Sequence, residues 1–123
     1  MSWVASIVWD LVSEPRETGA MMLFLLEEAA QTIGMGIYLA YKEGRWEDVL
    51  ELTTWAWDRV GSAGLNLATS KVGNLMFPLN RSYEAFFRAC RKHWKSMWIQ
   101  AYTRKTGGPP SEETLRMTWG SEE

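Results

Sequence analysis

Residues 81–105, RSYEAFFRACRKHWKSMWIQAYTRK, read as one helix with two unlike faces. Tyr83, Phe86, Phe87, Cys90, Trp94, Met97, Trp98 and Ala101 recur at steps of three and four. That spacing lines one side of a helix. Arg81, Arg88, Lys92 and Lys95 follow at steps of seven, four and three, roughly opposite the aromatic stripe. Arg91 lies between the two faces, and Glu84 is the segment's one acidic residue. A stretch built this way buries its aromatic side against other helices and turns its cations outward.

Outward from this stretch, punctuation divides the chain. Gly107-Gly108-Pro109-Pro110 stops the helix at its far end, and Ser111-Glu112-Glu113 can cap a last turn over 112–118, offering Leu115, Met117 and Trp119. On the near side Pro78 marks a stop and Asn80 a cap. Before them, 65–77 (LNLATSKVGNLMF) reads as a helix rich in small residues, set off by a break or bend at Gly61-Ser62-Ala63-Gly64. Trp46 to Val60 has an apolar side of Val49, Leu50, Thr53, Trp57 and Val60, and an acidic stripe of Glu47, Glu51 and Asp58. Gly44 separates it from a helix over Pro15 to Lys42, with proline in the first turn, where its missing N–H costs nothing. That helix is apolar on nearly every side, which places it at the centre of the bundle. Gly34 and Gly36 within it permit a close helix approach or a kink. Ser2 can cap a first short helix from Trp3 to about Val12. Nowhere does a period of two run for a strand's length beside hairpin signals.

The predicted class is all-α, a compact bundle of four or five helices with a long basic and aromatic C-terminal helix. One helical domain over 1–110 precedes an acidic tail over 111–123. A chain of 123 residues, 46% hydrophobic with four prolines, can bury a core and is not of disordered composition. Eight tryptophans and seven methionines are many for this length. They serve a core or a partner surface, since Trp, Tyr, Met and Arg are enriched at interfaces.

Net charge is −2, but the charges are segregated. Residues 1–60 hold four basic and ten acidic groups, 61–111 hold eight and one, and 112–123 hold one and four. Such asymmetry points to nucleic acid or a membrane surface, or to lobes that neutralise one another within or between subunits. The single cysteine, Cys90, excludes an internal disulfide. No secretory signal is read near the N-terminus. The longest uncharged run, Ala29 to Tyr41, falls short of a spanning helix, so no transmembrane segment is expected. The expected location is the cytoplasm, or a particle assembled there.

The candidate nucleic-acid-binding residues are Arg81, Arg88, Arg91, Lys92, Lys95, Trp98, Arg104 and Lys105. Cations along one helix face can track a phosphate backbone, each contact adding affinity by releasing counterions. Trp98, Tyr102 and His93 border them and can stack on bases or pack on sugars. The competing interpretation is a solvated face, or partners for the acidic stripe in exposed pairs worth about 0–1 kcal/mol each. Glu47, Glu51, Asp58, Trp55 and Trp119 are the candidate protein-interface residues.

Catalysis is not expected. Cys90 and His93 are three apart, but Cys90 sits in the aromatic stripe, where a free thiol behaves as a small apolar group. Glu27 and Glu28 point about 100° apart and form no acid–base pair. No second histidine completes a metal site, and neither Gly61-x-x-Gly64 nor Gly34-x-Gly36 matches a phosphate loop, so no cofactor is expected.

Tyr38 to Trp57, YLAYKEGRWEDVLELTTWAW, resembles one tetratricopeptide-type helical hairpin, with Tyr41, Gly44, Trp46, Val49 and Ala56 near that repeat's small and aromatic positions. The resemblance covers one unit, without a second copy, and implies a tight αα-hairpin or a peptide-binding adaptor.

The expected function is a non-catalytic, self-associating small helical protein that binds a nucleic-acid backbone without sequence preference. It is a structural or coat-like subunit, or a small subunit of a larger nucleoprotein complex. The basic lobe meets the phosphates and the acidic lobe the next copy, head to tail. The alternatives are a protein–protein adaptor with a Trp- and Met-rich surface, and a peripheral binder of anionic membrane.

Overall fold

The structure, a computed structural model, describes residues 3, 5, 6, 9, 15–70 and 80–121. Among these the chain forms five α-helices: α1 (Pro15–Lys42), α2 (Trp46–Ala56), α3 (Ser62–Thr69), α4 (Asn80–Thr106) and α5 (Glu112–Trp119). A π-helical turn, Trp57–Gly61, joins α2 to α3. No strand occurs among the described residues. The molecule is mostly helical, and a bundle of four or five helices is consistent with it. The short helix expected over 3–12 and the end of the one expected over 65–77 fall largely outside the described residues.

α1 starts at Pro15 and closes at Gly44, whose φ of 73° lies in the left-handed region that a side chain would disfavour. The amide of Gly44 donates to the Tyr41 carbonyl at 3.2 Å and that of Arg45 to the Ala40 carbonyl at 2.9 Å. These two bonds satisfy the helix's last carbonyls and reverse the chain into α2. Tyr41 and Trp46 meet edge to face across the turn, centroids 5.4 Å apart, so the hairpin expected over 38–57 forms. α5 begins at Ser111, whose hydroxyl accepts from the Thr114 amide at 3.2 Å, the expected cap.

α4 is the helix around which the others pack. It contacts α1, α2, α3 and the π turn. Phe87, Trp94, Trp98 and Ala101 are buried along one side, with Tyr83, Phe86, Cys90 and Met97 half-buried beside them. All but Ala101 join Leu23, Ala30 and Ile37 of α1, Ala56, Val60 and Ala68, and Trp119 in one core cluster. A smaller cluster of Ala40, Val49 and Ala101 sits under the α1–α2 turn. Tyr41 Oη donates to Gln100 Oε1 at 2.8 Å, tying that turn to α4.

Two expectations are corrected. The all-round apolarity of Pro15–Lys42 suggests a central helix, but α1 lies at the surface. It buries Leu23, Ala30, Ile37 and Ala40 and leaves Met21, Phe24, Leu25, Met35, Tyr38 and Leu39 at 45–60% exposure. Apolarity shows that a face can be covered, not that this chain covers it. Of the break or bend expected at Gly61–Gly64, the break does not occur: helical structure runs from Trp46 to Thr69, with only the π turn interposed. The glycines serve close approach instead. A Cβ on Gly61 would stand 2.8 Å from the Trp57 ring and 3.0 Å from Trp94, and one on Gly64 would overlap the buried Phe87 ring.

Gly64→Ala therefore drives a methyl into a packed ring. The expected result is a loss of about 1–3 kcal/mol in urea unfolding, the usual range for overpacking. Gly36→Ala is the control, because a Cβ at Gly36 meets nothing within 4 Å. It should be neutral or stabilising. An unchanged Gly64→Ala would show that α3 does not sit on Phe87.

Candidate nucleic-acid interface

Arg88, Arg91, Lys92 and Lys95 follow one another at steps of three, one and three on α4, so all four heads lie within about two turns. They form one side of an open groove of about 910 Å³. Leu65, Asn66 and Thr69 of α3 line it opposite, and Ser96, Ile99 and Gln100 extend the α4 side. Trp57 of the π turn and Trp119, at the end of α5, add aromatic rings, and Gly120 and Ser121 also line it. Among the described residues that line it there is no carboxylate. A concave surface carrying one sign of charge over low-dielectric walls concentrates its field and attracts counter-ions of the opposite sign.

The four cations differ in their engagement. Lys92 is exposed and Lys95 half-buried. Arg88 Nε donates to Glu84 Oε1 at 3.1 Å, one helical turn back, with its side chain 53% exposed. Exposed pairs at this spacing are worth about 0.3–0.5 kcal/mol, too little to hold Arg88 from a phosphate. Arg91 is different. Its Nη2 donates to the Trp119 carbonyl at 2.9 Å, and its Cζ stands 5.3 Å from the Trp57 ring centroid. Arg91 thus anchors the end of α5 to α4 and shapes the groove.

Trp119 is 1% exposed. Its ring lies 5.9 Å from Trp57 at 32° and 6.2 Å from Trp98 at 76°. Its Nε1 is buried with no hydrogen-bond partner among the described residues. A buried donor of this kind costs roughly 1–3 kcal/mol unless something accepts from it. The expectation that Trp119 faces a protein partner is corrected: it is a core residue of its own molecule.

Trp98 is corrected in the same way. Its position on the buried stripe overrides its nearness to the cations. It is 6% exposed and stacked on Tyr102 at 5.2 Å, out of reach of a base. Arg81 is exposed but not among the groove's lining residues. Arg104 and Lys105 belong to the far end of α4. Arg104 Cζ sits 4.5 Å over Trp46, and Lys105 Nζ donates to Glu47 Oε1 at 2.8 Å. The structure thus brings together four of the eight expected residues and assigns three others to the core or to α2.

The acidic stripe forms a second, shallower groove of about 430 Å³. Glu47, Glu51 and Asp58 line it with Trp55, Arg59 and Lys105. Trp55 is half-exposed there, open to a partner. One member of the acidic stripe, Glu47, pairs with Lys105 at the far end of α4, outside the basic stripe.

Cys90 is half-buried, and burial, with Glu27 second, pushes its thiol up to about 11. A nucleophilic cysteine needs the opposite shift. At neutral pH the thiolate should be about a hundredfold scarcer in the folded chain than with an ordinary thiol near 9. Reaction with a disulfide reagent should accelerate on unfolding in urea. Equal rates would contradict the burial. His93, its neighbour at three residues, is exposed. No group of three or more His, Cys, Asp or Glu suited to a metal occurs among the described residues.

Sequence reasoning missed Trp57, Asn66, Thr69, Ser96 and Gln100 as groove residues. Ser96 and Gln100 lie four residues after Lys92 and Ser96, so helical spacing contains them. Trp57, Asn66 and Thr69 come from other elements, and no local spacing reports which helix will face the cations. No family model matches the chain, and no curated protein or solved structure matches it either.

Proposed function

We propose that this protein is a non-catalytic, self-associating helical subunit that holds a nucleic-acid backbone without sequence preference. α4 acts as its basic helix, and the groove beside Arg88, Lys92 and Lys95 takes the phosphates. The observation that carries this reading is the convergence of four cations, Arg88, Arg91, Lys92 and Lys95, on one groove. Phosphate contacts position a nucleic acid but carry no base information, which accounts for binding without sequence preference. The acidic groove with Trp55 offers a contact to the next copy.

Purification without nuclease tests the reading. It predicts co-purified nucleic acid, seen in the ultraviolet absorbance, in particles larger than one chain. A clean preparation that also fails to bind added DNA and RNA at low salt would contradict it.

A second reading is favoured by α1. Gly19–Lys42 is long and apolar enough to cross a membrane by length and composition. With the basic groove, its outer face suits attachment to anionic lipid. Flotation with acidic vesicles, in the absence of nucleic-acid binding, would favour that reading over the first.

A further inference from the structure

α1 carries a second pattern on the side turned from the core. Met21, Leu25, Glu28, Thr32, Met35 and Leu39 are all exposed, at steps of four, three, four, three and four. Steps alternating in this way are the seam of a two-helix coiled coil, with a period of 3.5 residues. Phe24 and Tyr38 flank the seam on one side, 53% and 49% exposed. The buried residues Leu23, Ala30 and Ile37 lie on the other side of the same helix. One helix thus presents two faces that need covering, and the bundle covers one.

The outer face is large. At on the order of 200 Å² for a big side chain, six half-exposed residues leave roughly 600 Å² of apolar surface in water. With Glu28, Gln31 and Thr32 it approaches the ~800 Å² per partner of a stable interface. Apolar patches above about 300–600 Å² are uncommon on monomers and mark contact surfaces.

Its order along the helix selects the occupant. The apolar residues lie toward both ends and the polar ones in the middle, symmetrically about residue 30. Met21 mirrors Leu39, Leu25 mirrors Met35, and Glu28 mirrors Thr32. We propose that the outer face of α1 is where two copies of this chain pair antiparallel, about a two-fold axis near residue 30. Met21 then packs on the partner's Leu39, and Leu25 on the partner's Met35. Each Glu28 carboxylate meets the hydroxyl of the partner's Thr32, and Phe24 lies beside the partner's Tyr38. A parallel pairing would stack Glu28 on Glu28, and antiparallel pairing also opposes the helix dipoles. A bilayer is the poorer occupant, because a spanning helix would place Glu28, Gln31 and Thr32 near its centre, where a carboxylate is costliest. The same patch on both subunits makes a closed, isologous contact. It goes beyond the nucleic-acid reading and does not depend on it.

The test uses the full chain, treated with nuclease and held in high salt, so that binding in the basic groove plays no part. Sedimentation should show a dimer at micromolar concentration, and Leu25→Lys with Met35→Lys should reduce it to a monomer with unchanged helix content. Orientation is read by bridging in a Cys90→Ser background. Leu25→Cys and Met35→Cys chains should be joined by a short bis-maleimide when mixed. Leu25→Cys alone should not bridge, its two copies lying about 15 Å apart along the axis. A wild-type chain that stays monomeric, as when its own first residues cover the face, would overturn the proposal. So would bridging of Leu25→Cys alone, or binding to acidic vesicles without a dimer.

Discussion

Reversing Arg88, Lys92 and Lys95 together to glutamate should abolish binding to DNA and RNA, by on the order of 10³-fold at low salt. All three line the groove, and their replacement turns its positive wall negative. Arg91 is left in place because it holds the Trp119 carbonyl and covers Trp57, so its loss would mix stability with binding. The matched control is Arg104→Glu with Lys105→Glu. It changes two charges at the other end of α4, where Arg104 lies on Trp46 and Lys105 on Glu47. Nearly unchanged binding by the control, beside complete loss in the triple variant, would locate the phosphates in the groove. Equal losses in both would mean that net charge alone, rather than this groove, governs the interaction. Fluorescence anisotropy of a labelled oligonucleotide measures both.

The largest effect on stability should come from Trp119→Ala. The residue is four from the terminus of the sequence, where truncation is commonly harmless. Here the ring is 1% exposed between Trp57 and Trp98, and the backbone carbonyl accepts from Arg91. Removing a buried Trp costs about 3–5 kcal/mol, through lost burial and the cavity left behind. The variant should therefore unfold at markedly lower urea, with α5 released and one wall of the groove gone. Trp119→Phe keeps a ring and removes an Nε1–H that has no partner among the described residues, so it should cost much less. A Trp119→Ala chain within about 0.5 kcal/mol of wild type, the range of ordinary surface substitutions, would show that α5 does not dock as described. A stable but non-binding Trp119→Ala variant would instead place the ring's role in the ligand.

These two expectations rest on residues that sequence patterning treats very differently. The apolar stripe of α4 was legible because a 3.6-residue period belongs to the helix itself: Phe87, Trp94, Trp98 and Ala101 are all buried. Helix ends were legible at Pro15, Gly44 and Ser111 because capping is local chemistry. Trp98 shows where periodicity must be applied strictly. A residue on the apolar stripe cannot also serve the basic face, however near the cations it stands in sequence. Trp119 and α1 show the opposite limit. Burial of the one and exposure of the other depend on which surfaces remain once the bundle has assembled, a property of tertiary packing. Gly61 and Gly64 read as breakers by propensity, yet they permit Trp57, Trp94 and Phe87 to approach. A glycine's helix cost of about 1 kcal/mol is small against that of a ring with no room.

The groove itself was half legible. Arg88, Lys92 and Lys95 stand on one helix, so spacing brings them together. Their opposite wall, Asn66 and Thr69, comes from a helix expected to begin at Leu65 and found to begin at Ser62. The floor depends on a π turn that rotates Trp57 toward α5, and π turns leave no dependable mark in a single sequence.

The most direct test of phosphate binding in the groove is the salt dependence of wild-type affinity for single and double strands of unrelated sequence. With Arg88, Lys92 and Lys95 each meeting one phosphate, the logarithm of affinity should fall linearly with that of salt. The slope should be about −2 for single strands and about −3 for duplex, and the same for every sequence. A slope near zero, or one that changes from sequence to sequence, would contradict it.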